Sequence, residues 1–569
     1  MHCLTRQCVF NCLEEGNCWR SRIIACICKN HRENSTPAAL EMDSDEKILN
    51  ESTRGLLSGD MAADLANDFD LEDALNELDN GIGHTHGDDD DGVSNPLQSP
   101  DSPQGTNQNH SSESKHAAIL GNNVPVAITR PPTTSRDTSY AVAFWMHFLV
   151  IILLSLFEGD ALEESLIVYG KAGSWASHFM IVTILGAFCG CSMIFVLANS
   201  QRRDDILSVA IPLSIALQII FGSILFALKT RYSFLGILVF IGVLIDSFKY
   251  TRAKESITFA SAVLNIVIKI LNQYGMSMVT TCISLVMVQT LIILWWGSFF
   301  VGLISSVHQA YADILVVIML FSLYWVQQVF QALISYVIGG CTLWYFLKRD
   351  GQAFKPQERV LLHLQCGLSV GFGSVCKGAL YSNFAMNILE LHDWSKRTSK
   401  EGTGCGGLFG VNSVILLARH IVSRIVAPFL SSARKFHRLA FCVAATYGRT
   451  FSRSAADHAA NYEETLDIAI EDTTTHVLAA VAKVIPCALA MSFGLIVEEN
   501  PNEDAGRSWC LFFLVCYLLS YCGVSLALSM YRSAVDAIIV AFGETPEKLA
   551  KENQIIFSRF LRLLENSDF

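Results

Sequence analysis

Gly373-Ser374-Val375-Cys376-Lys377-Gly378-Ala379-Leu380 stands inside an otherwise apolar run that extends from 361 to 390. Small residues at this density let two helix backbones approach closely in lipid, where packing rather than water expulsion drives association. Nine further apolar runs surround this one, at 140–157, 176–198, 206–228, 232–248, 277–304, 313–346, 410–430, 477–497 and 508–530. Most are near the length of about 20 residues that a helix needs to cross roughly 30 Å of hydrocarbon. In hydrocarbon every backbone polar group must be satisfied within the protein, and a run of this length does so as a helix. The expected fold class is therefore all-α: a polytopic integral membrane protein with about ten transmembrane helices. The run at 410–430 is the weakest, because it contains Arg419, His420 and Arg424.

The chain is 51% hydrophobic and 17% charged, with a net charge of −12. Residues 1–139 hold 10 Lys/Arg against 23 Asp/Glu, while the rest of the chain holds 31 against 30. The acidity thus belongs to the N-terminal region and says little about a substrate. No basic face suggests nucleic acid as a partner. Residues 33–138 are rich in Ser, Asn, Asp, Pro and Gly, a composition that buries too little apolar surface to offset ordering entropy. The region 1–138 is expected to be disordered, acidic and cytosolic. Its opening, from Cys3 to Cys28, has no clean apolar core before a small-residue cleavage site and does not read as a secretory signal. The six cysteines there fit no zinc spacing. Asp64 to Asp79 alternates acids with Leu65, Phe69, Leu71, Leu75 and Leu78, the pattern of a solvated tail or of a short helix on a cytosolic partner. His84-Thr85-His86 before Asp88–Asp91 is a chance run of a polar tail or a weak divalent-ion site. No metal site and no cofactor are expected.

Orientation follows from Lys/Arg asymmetry. Segments 201–205, 248–255, 348–359 and 431–453 supply Lys and Arg, whereas 158–164 and 498–504 are acidic. Both termini are then cytosolic; the loop 392–401, with three basic residues, fits this poorly. Ala253–Gln273 reads as an amphipathic helix at the cytosolic interface. Thr545-Pro546-Glu547 reads as a helix start, with Thr as N-cap and Pro in the first turn. Ile555, Ile556, Phe557, Phe560, Leu561 and Leu564 give that helix an apolar face.

Tyr324, Gln328, Gln331 and Ser335 are spaced by 4, 3 and 4 within 313–346. At 100° per residue they fall within about 60° of one another. Such a stripe does not face lipid, since an unpaired amide there is costly; it lines an aqueous path or hydrogen-bonds a neighbouring helix. In 361–390, Gly367, Gly371, Ser374 and Gly378 form a ridge without bulky side chains. Gln365, Ser369, Phe372, Cys376 and Asn383 occupy roughly the opposite face, and Gly371, Gly373 and Gly378 make bending cheap. Trp344 and Tyr345 suit the interfacial belt. Tyr324, Trp325 and Tyr336 lie deeper, as packing residues or as ring faces for a quaternary ammonium, whose charge has no N–H with which to donate a hydrogen bond. Lys377 and Lys483 lie within spans, where an ionisable residue is by default functional: each pairs with an acid, binds an anion or snorkels. Asp246 and Asp313 are expected to face water at span ends. No catalytic constellation is present: there is no phosphate-cradling glycine loop with Lys, no HExxH and no nucleophile–base pair. An enzyme and an ATP-driven pump are not expected.

Four segments carry a resemblance to the choline transporter-like family of solute carriers. One is Leu323-Tyr324-Trp325-Val326-Gln327-Gln328-Val329 with Ala332, Gly339 and Trp344-Tyr345-Phe346. The second is Gly373, Ser374, Gly378 and Leu380, similar to the family's Gly-Ser-x-x-x-Gly-Ser-Leu. The third runs from Ala440-Phe441 through Tyr447-Gly448-Arg449-Thr450-Phe451 to Ser454-Ala455. The fourth is Ser529-Met530-Tyr531 with Val535-Asp536-Ala537 and Phe542. The resemblance covers about Ala253 to Leu564 and, more loosely, Ser139 onward. It departs at Lys377, where an apolar residue is usual, and at Ala379, in place of the second Ser. The short first loop is similar to that of fungal and plant members.

The resemblance implies transport of choline or a related small amine by facilitated diffusion or exchange, without ATP hydrolysis, most plainly at the plasma membrane. The implied site lies between 277–304, 313–346 and 361–390. Tyr324 and Trp325 offer ring faces with Phe372 beside them, Gln328, Gln331 and Ser369 offer polar contacts, and Gly367, Gly371, Gly373, Ser374 and Gly378 serve packing or mobility. The expected layout is a tail over 1–138, a transmembrane transporter domain over 139–531 and a cytosolic amphipathic helix over 532–569. The expected partners are the solute, membrane lipids and a cytosolic partner of the tail. The alternative is a non-transporting membrane scaffold or lipid-handling protein.

Overall fold

Helices form wherever an apolar run must close its own backbone hydrogen bonds, and their ends fall where Gly, Pro or charge interrupts the run. The computed structural model describes residues 136–567, apart from 158, 200–202, 228–233, 254–256, 307–308, 349–354, 402–419, 421–422, 425 and 497–504. The N-terminal cysteines, the 64–79 segment, His84–Asp91 and most of the run at 410–430 lie outside the described residues. In chain order the helices are α1 (Thr138–Phe157), α2 (Gly159–Asn199), α3 (Arg203–Ala227), α4 (Phe234–Ala253), α5 (Ile257–Gln273), α6 (Met276–Ser306), α7 (Gln309–Leu347), α8 (Pro356–Leu368) and α9 (Phe372–Glu401). After a gap follow α10 (Ala440–Tyr447), α11 (Phe451–Asn461), α12 (Glu463–Glu471), α13 (Thr473–Ile496), α14 (Ala505–Glu544), α15 (Pro546–Glu552) and α16 (Gln554–Ser567). No strand occurs among the described residues.

The all-α polytopic class holds; a count of ten is not reached among the described residues. Among the described residues six helices are long and apolar enough to cross a membrane, or seven if the bent pair α8 and α9 is one span. Thr138–Leu154 and Phe234–Leu244 are shorter apolar helices. The run 361–390 is not one helix either: it breaks between Leu368 and Phe372, and the two halves are inclined by 77°.

α14 is the axis of the bundle. Its apolar window is 78% buried, whereas the windows of the other five candidate spans are 39–44% buried. α2, α7 and α13 pack around it. The crossing with α2 is close because both helices carry glycine there. A Cβ on Gly186 would lie 2.6 Å from the Ser520 Cα, and one on Gly523 would lie 2.7 Å from the Ala187 nitrogen. α14 does not stop near 531 but continues to Glu544, so Val535, Asp536 and Phe542 belong to it.

Beyond Glu544 the expected single C-terminal helix is two, parted at Asn553, whose side chain accepts from Ile556 N–H at 3.1 Å and caps α16. Thr545 does not cap α15; its hydroxyl donates back to the Ala541 carbonyl at 3.2 Å. Phe560 packs on Phe259 of α5 and on Phe542. Glu552 receives Lys269 at 2.9 Å and Tyr345 at 3.0 Å. α5, α15 and α16 therefore share one end of the bundle. α5 begins at Ile257 rather than Ala253 and buries Val263, Leu264, Val267 and Leu271.

Candidate functional site

The break between α8 and α9 is built around a single ring. A Cβ on Gly367 would come within 3.2 Å of Tyr336 of α7, and one on Gly371 within 3.1 Å of the Tyr336 hydroxyl. Any larger residue at either position would push the two half-helices off the ring. The chain turns through Ser369 and Val370, with Gly371 N–H donating to Cys366 C=O at 2.8 Å. The expected ridge of Gly367, Gly371, Ser374 and Gly378 is thus not one surface. The first two face Tyr336, whereas a Cβ on Gly378 would collide with Phe441 and Phe451 of α10 and α11.

The polar stripe of α7 is divided as well. Gln328, Gln331 and Ser335 face a cavity of about 20 Å³, lined also by Ser382 and Asn383 of α9, Arg438, and Ser529, Arg532 and Asp536 of α14. That volume suits about one water molecule. Asn383 donates its amide to Gln328. Gln331 donates to Ser525 at 3.3 Å, and the Ser335 and Ser533 hydroxyls lie 2.9 Å apart. Gln327, next to the stripe, extends the network by donating to Ser525 at 3.0 Å and to the Cys522 carbonyl at 3.2 Å, and it accepts from Gln289 of α6. The side chains of Gln289, Gln327 and Ser525 are buried among α6, α7 and α14.

The other expected site residues stand elsewhere. Tyr324 is 40% exposed on the outer surface of α7. Trp325 turns the other way, with ring centroids 5.6 Å from Phe144 and 5.0 Å from His147 of α1. Phe372 joins the same cluster, 5.8 Å from Phe144. Ser369 lies in the bend, where its hydroxyl donates to the Gln365 carbonyl at 2.6 Å. Tyr324, Trp325 and Phe372 therefore form no common cage: adjacent residues on a helix point about 100° apart.

Arg438 and Asp536 close the cavity. The guanidinium donates to the carboxylate at 2.8 Å and to the Thr475 hydroxyl at 3.1 Å, and the paired side chains are 5% and 4% exposed. Thr475 is itself held by Asp472, whose carboxylate accepts from the Thr474 and Thr475 amides at 3.0 and 2.9 Å and caps α13. Gly448 ends α10 in the left-handed region at φ +58°, turning the chain into α11 beside this cluster.

Both intramembrane lysines have acids. Lys483 lies 2.5 Å from Asp246, which also accepts from Gln218 at 3.0 Å. Asp246 is thus paired across helices rather than facing water as expected. Lys377 lies 3.1 Å from Asp137. On α9 it stands six residues from Asn383, about 120° around the helix, so it is directed away from the cavity. Sequence reasoning missed Asp137, Gln289 and Ser525, and it counted Arg438 only as a loop cation. The available signal was Asp536, an acid in an apolar run that requires a buried partner.

Comparisons with known proteins identify the family. A family model described as plasma-membrane choline transporter matches residues 235–547. A CTL-like protein of Dictyostelium discoideum is 20% identical over 431 residues, covering 74% of this chain and 73% of its own. Protein PNS1 of Debaryomyces hansenii is 22% identical over 366 residues, 60% of this chain and 68% of its own. Protein PNS1 of Candida albicans is 22% identical over 355 residues, 57% and 65% respectively. The matched region takes in the bent pair, the amide network and the Arg438–Asp536 bridge, and it spans more than half of the chain: this protein belongs to the plasma-membrane choline transporter family.

Proposed function

We propose that the protein carries choline or a related small amine across the plasma membrane by facilitated diffusion or exchange, without ATP hydrolysis, with both termini cytosolic. The observation that carries this reading is the closed polar cavity between α7, α9 and α14. A buried seam of amides and hydroxyls is costly in a static bundle unless every group is paired. Here the Asn383–Gln328 pair is a hydrogen bond between side chains of α9 and α7, which a moderate movement of α9 would exchange for contacts to a solute. Gln328, Gln331 and Asn383 would meet the solute once the Asn383–Gln328 bond opens. Tyr324 would stand at the outer mouth, where a ring face can meet an ammonium for about 0.5–2 kcal/mol. Trp325 and Phe372 would hold α1 against the bend. Paired with Asp137, Lys377 would set no bare charge against a cationic solute.

Purified protein in liposomes should accumulate labelled choline down its gradient, and unlabelled choline trapped inside should accelerate uptake if the mode is exchange. Folded protein that moves neither choline nor other small amines above the level of empty liposomes would favour the scaffold or lipid-handling reading.

A further inference from the structure

Arg136 and Asp137, the two residues before α1, lie across the bend between α8 and α9. Arg136 N–H donates to the Val370 carbonyl, within the turn itself, at 3.1 Å. The Asp137 carboxylate takes the Ser374 hydroxyl at 2.7 Å and the Lys377 ammonium at 3.1 Å. It thereby sits at the first turn of α9, where unpaired amides favour an anion. The side chains of Asp137 and Lys377 are 14% and 17% exposed, so the pair is little screened. Lys377 also lies over the Tyr140 ring at 5.2 Å.

Two backbone features fit these contacts. Asp137 has φ +49°, a region that Asp tolerates better than most residues but that still costs energy. Position 373 is glycine, and a Cβ there would collide with the carbonyl oxygens of both Arg136 and Asp137. Ser374 further accepts from Phe451 N–H at 3.3 Å, which ties the same point to α11. An ordinary ion pair that only fastened α1 would have no need to reach the turn at Val370 or to require glycine at 373.

We propose that Arg136–Asp137 is a strap that holds the α8–α9 bend at its present angle, and that its release allows α9 to swing. α9 carries Asn383, so residues 136 and 137 are mechanically tied to a residue that lines the cavity. A partner or modification pulling on the acidic N-terminal region would then act on the cavity through residues 136 and 137. This inference rests on contacts at the bend and does not depend on which solute is carried.

The test is hydrogen–deuterium exchange of the full-length protein in lipid nanodiscs, read over 366–377. Asp137→Asn keeps the backbone conformation accessible and removes the charge. Gly373→Ala removes the space and leaves every charge. Each should accelerate exchange over 366–377 several-fold while α14 exchanges as in the parent. The double variant should be no faster than the faster single variant, because a released strap cannot be released twice. Unchanged exchange in Asp137→Asn would overturn the proposal. So would equal acceleration throughout α14, which would make Asp137 a general stabiliser, or additive effects in the double variant. Labelled choline counterflow on the same samples reads the consequence for transport. If the parent moves no choline, the proposed function fails while the exchange data still decide the strap.

Discussion

Arg438 donates to Asp536 across 2.8 Å at the inner wall of the polar cavity, each side chain all but removed from solvent. A pair so placed gains little net stability over an apolar replacement, yet losing one partner strands the other charge.

Arg438→Met should therefore cost about 3–5 kcal/mol, and Asp536→Asn a similar amount. The double variant should recover a large part of either loss. Melting in detergent, followed by fluorescence-detected size exclusion, measures all three. Equal melting of parent and Arg438→Met would show that Asp536 is uncharged in the folded protein or is balanced by Arg532, which lines the same cavity.

Gln328→Leu leaves the Asn383 amide without its acceptor. A stranded buried donor costs about 1–3 kcal/mol; Asn383 is half-buried, so a drop in melting temperature matching the lower end of that range is expected. Choline counterflow should fall further than that drop explains. Trp325→Leu, which cuts into the α1 cluster instead, should lose stability and transport together. If Gln328→Leu transports at the parental rate, the cavity is helix adhesive and the solute passes elsewhere.

Gly378→Ala should destabilise by about 1–3 kcal/mol through overpacking against Phe441 and Phe451. Gly242, beside which a Cβ would meet nothing within 4 Å, is the control. Gly242→Ala should melt within about 0.5 kcal/mol of the parent.

His437 and His458 lie with ring centroids 5.0 Å apart and are nearly solvent-free. Burial pushes His437 down to about 4, with Arg438 adding and a backbone bond at Ala455 opposing. Burial and then His437 hold His458 well below its ordinary range. A base depressed in the fold takes up protons more readily when unfolded. Its full contribution is therefore present above about 6.5 and is lost as pH falls through the folded values. Stability should decline by up to about 1.4 kcal/mol per group and pH unit below that point. Melting temperatures between pH 7 and 5 should show the decline, and His437→Phe should flatten it.

The helices were readable because apolar run length and the period of 3.6 are local properties. The stripe of Gln328, Gln331 and Ser335 was readable for the same reason: its members are neighbours on one helix whatever surrounds it. Gly367, Gly371 and Gly373 announced that the chain may bend cheaply, but glycine specifies permission rather than angle. The 77° turn packs against Tyr336, which lies on the preceding long helix. Partnerships across 237 or 240 positions, such as Ser374 and Lys377 with Asp137, leave no local trace. The same limit misplaced the aromatics. Tyr324 and Trp325 are adjacent in sequence, and helical geometry sends adjacent side chains to different neighbours.

α14 has a consequence for where water can reach. A helix of 40 residues rises about 60 Å, twice the thickness of a hydrocarbon layer. Its stretch from Cys510 to Tyr531 is free of charge, whereas Arg532 and Asp536 follow directly. The lipid belt accordingly fits the first stretch, and the Arg438–Asp536 bridge stands about 8 Å past it. At that height lipid tails no longer exclude water; protein must do so, through α10–α12 and the C-terminal helices. The bridge is dry only while that lid of short helices stays seated. Loosening the lid would raise the local dielectric and weaken the attraction between the two charges, which makes seating of those short helices and tightness of the cavity wall one and the same variable.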